Sequence, residues 1–69
     1  MTPLKSSVIK AADYDEANQI LTLNFQNGTT YAYLNVDRDT FRDLTLAESA
    51  GQFFQNNIRP HFPGVKIEE

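Results

Sequence analysis

The chain of 69 residues contains no cysteine and no tryptophan, and it has only three glycines and three prolines. Without cysteine, neither a disulfide bond nor a thiolate metal ligand is available, so hydrophobic packing must hold the fold together. The length fits a single domain, and a domain of this size buries only about 60% of the surface that its unfolded chain exposes. The five Phe and three Tyr residues are therefore enough for one compact core, but not for more.

Long apolar runs and basic clusters are also missing. No segment approaches the roughly 20 apolar residues that cross a bilayer, and the first ten residues, MTPLKSSVIK, lack the apolar core of a signal peptide. We therefore expect no membrane contact and a cytoplasmic location. The formal charge is −3, with six Lys and Arg against nine Asp and Glu. Because phosphate-backbone binding depends on clustered Lys and Arg, strong nonspecific binding to nucleic acid is disfavoured.

The pattern of apolar residues predicts an α+β fold, in which a three-stranded antiparallel β-meander is followed by two short α-helices packed on one face. Alternation is clearest over residues 19–25, and Asn27-Gly28 then marks a hairpin. The other two strands are predicted over residues 6–15 and 29–34. A turn between the first two strands is expected at residues 15–18, where Asp and Asn can bond their own backbone.

Helical spacing replaces the alternation after Asn35. The first helix is predicted over residues 36–47, and the second begins at Ser49 and ends before Pro60. We assign residues 6–62 to the folded domain. We expect a flexible N-terminus over residues 1–5 and a loosely ordered tail over residues 63–69.

The hairpin loop decides where two tyrosines, Tyr31 and Tyr33, point. A two-residue loop of Asn27 and Gly28 leaves both on the solvent face. A three-residue loop that begins at Gln26, with Gly28 in a left-handed conformation, turns both tyrosines towards the helices. The reason is that a shift of one residue in the strand register moves every side chain of the strand to the other face of the sheet. We favour the longer loop, since burying two tyrosines contributes on the order of 1.5–3 kcal/mol each and so small a domain needs it.

Catalytic and metal-binding patterns are not found. His61 is the only histidine, and without a second ligand it is a poor metal ligand. Ser6 and Ser7 have no base and orienting group nearby. The aspartates between Asp37 and Asp43 are interleaved with arginines, which indicates a solvated helix with ion pairs rather than a cation site. We therefore expect neither an enzyme nor a bound cofactor or metal.

Two features at the second predicted helix suggest contact with a partner. Arg59, at its end, either complements the negative end of the helix dipole or binds a carboxylate or phosphate of a partner. Phe53 and Phe54 are consecutive, so only one of them can point fully inward. The other leaves exposed aromatic surface, which suits a binding partner.

The ordered set of motifs resembles the KTSC domain family, which is named for its place at the C-terminus of some lysyl-tRNA synthetases and also occurs as small stand-alone bacterial and phage proteins. The resemblance covers residues 6–62 and is carried by Ser6-Ser7, Tyr14-Asp15, Leu21-x-Leu23-x-Phe25, Gly28, Tyr31-x-Tyr33, Val36, Ala47-x-Ser49-x-Gly51-x-Phe53-Phe54 and Ile58-Arg59. The sequence differs from the family at Asp37, where proline is usual, and at Gln55, where asparagine is usual.

This resemblance implies no enzymatic activity, and it implies a suggested role in RNA binding. We carry two hypotheses forward. In the first, the chain is a non-catalytic interaction module that docks a protein partner through Arg59 and exposed aromatic rings. In the second, it is a weak RNA- or tRNA-binding accessory domain in which Tyr31 and Tyr33 stack on unpaired bases, while Lys10 and Arg59 contact phosphates. The oligomeric state is left open.

Overall fold

A computed structural model describes residues 2–4 and 6–68 and shows one antiparallel sheet with helical segments against one face. The strands lie in the sheet in chain order: β1 (Thr2–Pro3), β2 (Ile9–Asp15), β3 (Ile20–Phe25), β4 (Thr30–Tyr33) and β5 (Gly64–Glu68). Between β4 and β5 the chain forms α1 (Arg38–Leu46), α2 (Ala50–Phe53) and a π-helical turn (Phe54–Ile58) that continues α2. The predicted α+β class, with its meander and two short helices, is confirmed.

The central meander, β2 to β4, forms where alternation and turn chemistry agree. The Asp15 carboxylate accepts hydrogen bonds from the backbone N–H and the side-chain amide of Asn18, at 3.2 and 2.8 Å. These bonds close the predicted turn between β2 and β3. They also hold the pKa of Asp15 below its usual value, because the amide donors favour the charged carboxylate.

The hairpin between β3 and β4 has the longer of the two alternative loops. Leu23 lies opposite Tyr31, and Leu21 lies opposite Tyr33. The Phe25 N–H donates to the carbonyl of Thr29 at 2.8 Å, and Gly28 has a φ of 91°, in the left-handed region that glycine adopts without a steric penalty. The favoured register is therefore confirmed.

The outer strands were not predicted, so the expectation of three strands is corrected to five. Residues 64–68, assigned above to a loosely ordered tail, instead pair with β4 as strand β5. At the other edge Thr2–Pro3 pair with Ala11–Ala12 of β2, within the stretch expected to be a flexible N-terminus. Met1, Lys5 and Glu69 lie outside the described residues.

Both α-helices begin after a residue type that is favoured at the N-terminal cap position. Asp37 occupies the N-terminal cap position of α1, and its carboxylate accepts a hydrogen bond from the hydroxyl of Thr40, which lowers the pKa of Asp37. Ser49 caps α2 by accepting from the Gln52 N–H at 3.3 Å. Among the described residues no helix is long and apolar enough to cross a membrane.

The core lies between the helix-facing side of the sheet and the helices. Its members are Ile9, Ala12, Leu21, Leu23 and Tyr33 from the sheet, and Val36, Leu44, Ala50, Phe54 and Ile58 from the segments that cover it. Of the two consecutive phenylalanines, Phe54 points inward and Phe53 is half-buried at the margin of the core. One inward ring and one marginal ring match the sequence-based expectation, because consecutive residues of a helix are about 100° apart around its axis.

Candidate functional site

The Tyr31-x-Tyr33 motif lies on β4, with both side chains on the face that the helices cover. Tyr33 is only 6% exposed, and Tyr31 is half-buried nearer the hairpin end of the strand. The three-residue loop produces this placement, because it sets both tyrosines opposite the buried leucines of β3. The two tyrosines therefore belong to the core and also extend towards its rim.

Four rings meet at this end of the core, and we call Phe25, Tyr31, Tyr33 and Phe54 the ring cluster. Tyr31 and Tyr33 lie side by side with centroids 6.2 Å apart, and Phe25 meets Tyr31 edge-on at 5.9 Å. Phe54 meets Phe25 and Tyr33 in edge contacts, both at 5.4 Å. Edge-to-face pairs of this kind add about 0.5–1.5 kcal/mol each beyond the area they bury. The four rings therefore stabilise one another at this end of the core.

The π-helical turn places Arg59 beside this cluster. The Arg59 N–H donates to the carbonyl of Phe54 at 2.9 Å, a bond that spans five residues rather than four. Single π-helical turns occur frequently at functional sites. The turn therefore joins Phe54, whose ring belongs to the cluster, to Arg59, which lies at the rim of the cluster.

Strand β5 supplies a second cation and closes the side of the cluster. Gly64 lies opposite Tyr33, and Lys66 lies opposite Tyr31 on the same face of the sheet. A Cβ atom at position 64 would lie 2.6 Å from Cε1 of Tyr33. The glycine therefore leaves room for the tyrosine ring, which reaches over the edge strand.

These groups line an open cavity of about 360 Å³, which we call the aromatic concavity. The ring cluster forms its floor, Arg59 and Lys66 stand at its rim, and Asn27 and Thr29 border it at the hairpin. Within the part of the chain that the structure describes, none of the lining residues is acidic. The concavity is thus apolar at its base and positively charged at its rim, in a chain whose net charge is −3.

The protonation of Tyr33 reflects this setting. Burial raises the pKa of its hydroxyl, the neighbouring Tyr31 raises it further, and the positive charge of Arg59 lowers it. Tyr33 therefore stays neutral around pH 7.

The structure brings together three of the four predicted binding residues, Tyr31, Tyr33 and Arg59. The fourth, Lys10, does not line the aromatic concavity: it is exposed on β2, which β3 separates from β4. Lys66 stands at the rim in its place. Sequence reasoning missed Lys66 because it lies in the stretch assigned to the tail, although Val65, Lys66 and Ile67 alternate there as strand residues do.

The third tyrosine, Tyr14, has a structural role at the other end of the sheet. Its hydroxyl donates to the carbonyl of Val36 at 2.6 Å, and its ring stacks on Phe41 with centroids 4.9 Å apart. Partial burial, with the nearby carboxylates of Asp37 and Glu16, raises the pKa of Tyr14. It fixes the segment that leads from the sheet into α1.

The remaining residues considered for chemistry are structural or solvated. The Ser6 hydroxyl accepts from the backbone N–H groups of Val8 and Ile9 at 2.9 and 3.0 Å, which shapes the entry to β2. His61 is exposed. Arg38 and Arg42 form ion pairs at 3.4–3.5 Å with Glu16, Asp39 and Asp43, as expected for a solvated helix. Among the described residues no group of three or more His, Cys, Asp or Glu could hold a metal ion.

Comparison with known proteins gives one consistent result. The family model of the KTSC domain matches residues 5–62. A protein of Tsukamurella paurometabola is 46% identical over 97% of this chain and all of its own length. The crystal structure of a KTSC domain protein from Yersinia pestis superposes with a TM-score of 0.91 at 35% identity, covering 96% of this chain and 93% of that one.

Further relatives include both a protein much longer than this chain and one of similar length. A lysine–tRNA ligase of Nostoc punctiforme is 38% identical over 84% of this chain, but the match covers only 10% of the ligase. An uncharacterized protein of Stutzerimonas stutzeri, 33% identical, is matched over 93% of its length. The same domain is therefore found both as nearly a whole small protein and as a small part of a large enzyme.

Proposed function

The chain belongs to the KTSC domain family, and from this premise and the geometry of the site we propose that it is a non-catalytic interaction module that docks a protein partner in the aromatic concavity. One observation carries the proposal: an apolar floor of four packed rings lies beneath two cations. A cleft in which a few polar groups converge above aromatic side chains is a usual form of a binding site. A cytoplasmic location is part of the same proposal.

The lining of the concavity suits binding better than catalysis. It contains hydroxyl groups, but no imidazole, thiol or carboxylate lines it among the described residues. General acid–base catalysis uses His most often, and a Ser or Thr nucleophile is activated by an adjacent general base. The concavity can therefore hold and orient a ligand, and the proposal assigns it no reaction.

RNA binding is the second candidate, and the relationship to lysine–tRNA ligases favours it. Two observations weigh against it. Base stacking needs an open ring face, whereas Tyr33 is 6% exposed and Tyr31 lies between Tyr33 and the edge of Phe25. The two rim cations are also few for a backbone-binding surface. We therefore place protein docking first.

The test compares matched charge variants as bait in the lysate of a host bacterium. Immobilised wild-type protein, Arg59→Gln and Arg42→Gln are incubated with the lysate, with and without ribonuclease, and bound proteins are quantified by mass spectrometry. Arg42 is the control because its guanidinium pairs with Asp39 and Asp43 on α1 rather than lining the concavity.

Protein docking predicts at least one protein that wild type and Arg42→Gln retain and Arg59→Gln releases, with no effect of ribonuclease. Loss of all capture after ribonuclease would favour RNA instead. Equal capture by all three baits, or no enrichment by folded wild type, would contradict docking in the aromatic concavity.

A further inference from the structure

Resting on the proposed function, we propose that the partner presents an acidic peptide segment with one large apolar side chain. The apolar side chain packs on the ring cluster, and flanking carboxylates pair with Arg59 and Lys66. The inference names the chemistry of the occupant and leaves its identity to experiment.

The size of the concavity favours a short peptide segment. A cavity of about 360 Å³ is near the lower end of ligand pockets, which span roughly 300–1,000 Å³. It can take one large side chain and the backbone beside it, but not the broad face of a folded domain. Phe25 and Tyr31 are half-buried, whereas Tyr33 and Phe54 are each 6% exposed. A phenylalanine or leucine side chain can therefore pack against the exposed edges of Phe25 and Tyr31, and unlike a stacked base it needs no open ring face.

The charges at the rim define what flanks that side chain. Arg59 and Lys66 come from different elements, the end of the π-helical turn and the edge strand, and both border the same cavity. The ion pairs of α1 use Arg38 and Arg42 and do not include Arg59. A planar guanidinium matches a carboxylate in a two-bond contact. Charge complementarity therefore calls for an acidic segment.

The contrast with the opposite end of the molecule supports a directed charge pattern. A second depression of about 390 Å³ is lined by Glu16, Asp37 and Asp39 together with Arg38. Carboxylates thus outnumber cations there, whereas no carboxylate among the described side chains lines the aromatic concavity. An acidic peptide is attracted to one end of the domain and repelled from the other, which sets its place of binding.

The test uses short synthetic peptides with a fluorescein label, followed by fluorescence anisotropy at low and moderate salt. The first peptide is acetyl-Asp-Glu-Phe-Asp-Glu-amide. The second replaces the acids with Asn and Gln, and the third replaces Phe with Ser. A labelled single-stranded RNA of six nucleotides is titrated in parallel, so that phosphate and carboxylate sources of negative charge are separated.

We expect the first peptide to bind at least about tenfold more tightly than either of the others, since both the charges and the ring are used. Arg59→Gln and Lys66→Gln should each weaken it by about tenfold, as loss of one charge-assisted contact does. Arg42→Gln should leave it unchanged within about twofold. Amide chemical shifts of each variant, measured without ligand, confirm that the fold is retained.

Four outcomes would overturn the inference: equal binding of acidic and neutral peptides, equal binding by wild type and Arg59→Gln, binding of the oligonucleotide alone, or binding of neither peptides nor oligonucleotide. The first two remove charge recognition at the rim, and the third transfers the site to RNA. If the lysate experiment yields an Arg59-dependent protein and none of the peptides binds, the acidic-peptide inference fails while protein docking stands.

Discussion

Gly64→Ala should destabilise the domain, although position 64 lies on an exposed edge strand. A Cβ atom there would lie 2.6 Å from Cε1 of Tyr33 and 3.1 Å from its Cδ1 and Cζ. Carbon atoms in favourable contact are about 3.5–4.0 Å apart. Either the tyrosine ring or strand β5 must therefore move when the methyl group is added.

The magnitude follows from two opposing effects. Overpacking of a filled site costs about 1–3 kcal/mol, and the Tyr33 ring has little freedom to shift because Tyr31 and Phe54 flank it. Gly64 has no positive φ, so replacing it with alanine also reduces the entropy of the unfolded chain, which stabilises by about 0.4–1 kcal/mol. The net expectation is a loss of about 0.5–2 kcal/mol.

Urea unfolding followed by far-UV circular dichroism measures this change. Thermal unfolding should show a fall of about 4–8 °C for each kcal/mol lost, as is usual for a domain of this size. The same substitution in a Tyr33→Leu background is the control, because a shorter side chain leaves room for the methyl group and should reduce or reverse the loss. If Gly64→Ala is as stable as wild type, the close packing of Tyr33 on β5 is refuted.

Three further substitutions test other parts of the argument. Ser6→Ala removes the acceptor for two backbone N–H groups and should cost about 1 kcal/mol by urea unfolding; Ser6→Thr, which keeps the hydroxyl, is the control, and no loss would contradict this role. The lowered pKa of Asp15 contributes stability that is complete above about pH 4 and is lost as pH falls through the folded pKa. The Tm of Asp15→Asn should therefore fall less than the Tm of wild type between pH 6 and pH 3. An equal fall in both proteins would contradict the contact between Asp15 and Asn18. Arg59→Gln should raise the pKa of Tyr33 further, because it removes a positive charge that lowers this pKa. NMR titration of a ring-labelled sample measures the change, and an unchanged pKa would show that the Arg59 guanidinium lies too far from the Tyr33 hydroxyl to affect it.

The centre of the fold could be predicted because its signals are local. Alternation over Leu21, Leu23 and Phe25 sets one strand, and Asn-Gly sets the turn. The register then followed from one physical argument: a small chain without disulfide bonds cannot leave two large rings in solvent. The register in turn determines the ring cluster, so the position of Tyr31 and Tyr33 was also within reach of the sequence.

The outer parts of the site depend on interactions that the sequence does not show. Residues 64–68 follow a proline, lie at the end of the chain given, and become a strand only because β4 offers an open edge. The π-helical turn has no sequence pattern of its own, although it brings Arg59 over Phe54. The sequence prediction named Lys10 and not Lys66 for a related reason, because only the pairing of β4 with β5 shows which lysine borders the concavity.

The ring cluster both holds the fold together and forms the floor of the concavity, and this double use decides which substitutions can test function. Tyr33 is almost fully buried between Tyr31, Phe54 and Gly64, so its replacement removes core packing as well as any binding surface. Arg59 and Lys66 stand at the rim, outside the apolar core cluster. If a rim variant loses binding while its free energy of unfolding is unchanged, binding and folding use different residues. If every variant that loses binding is also destabilised, the same residues serve both.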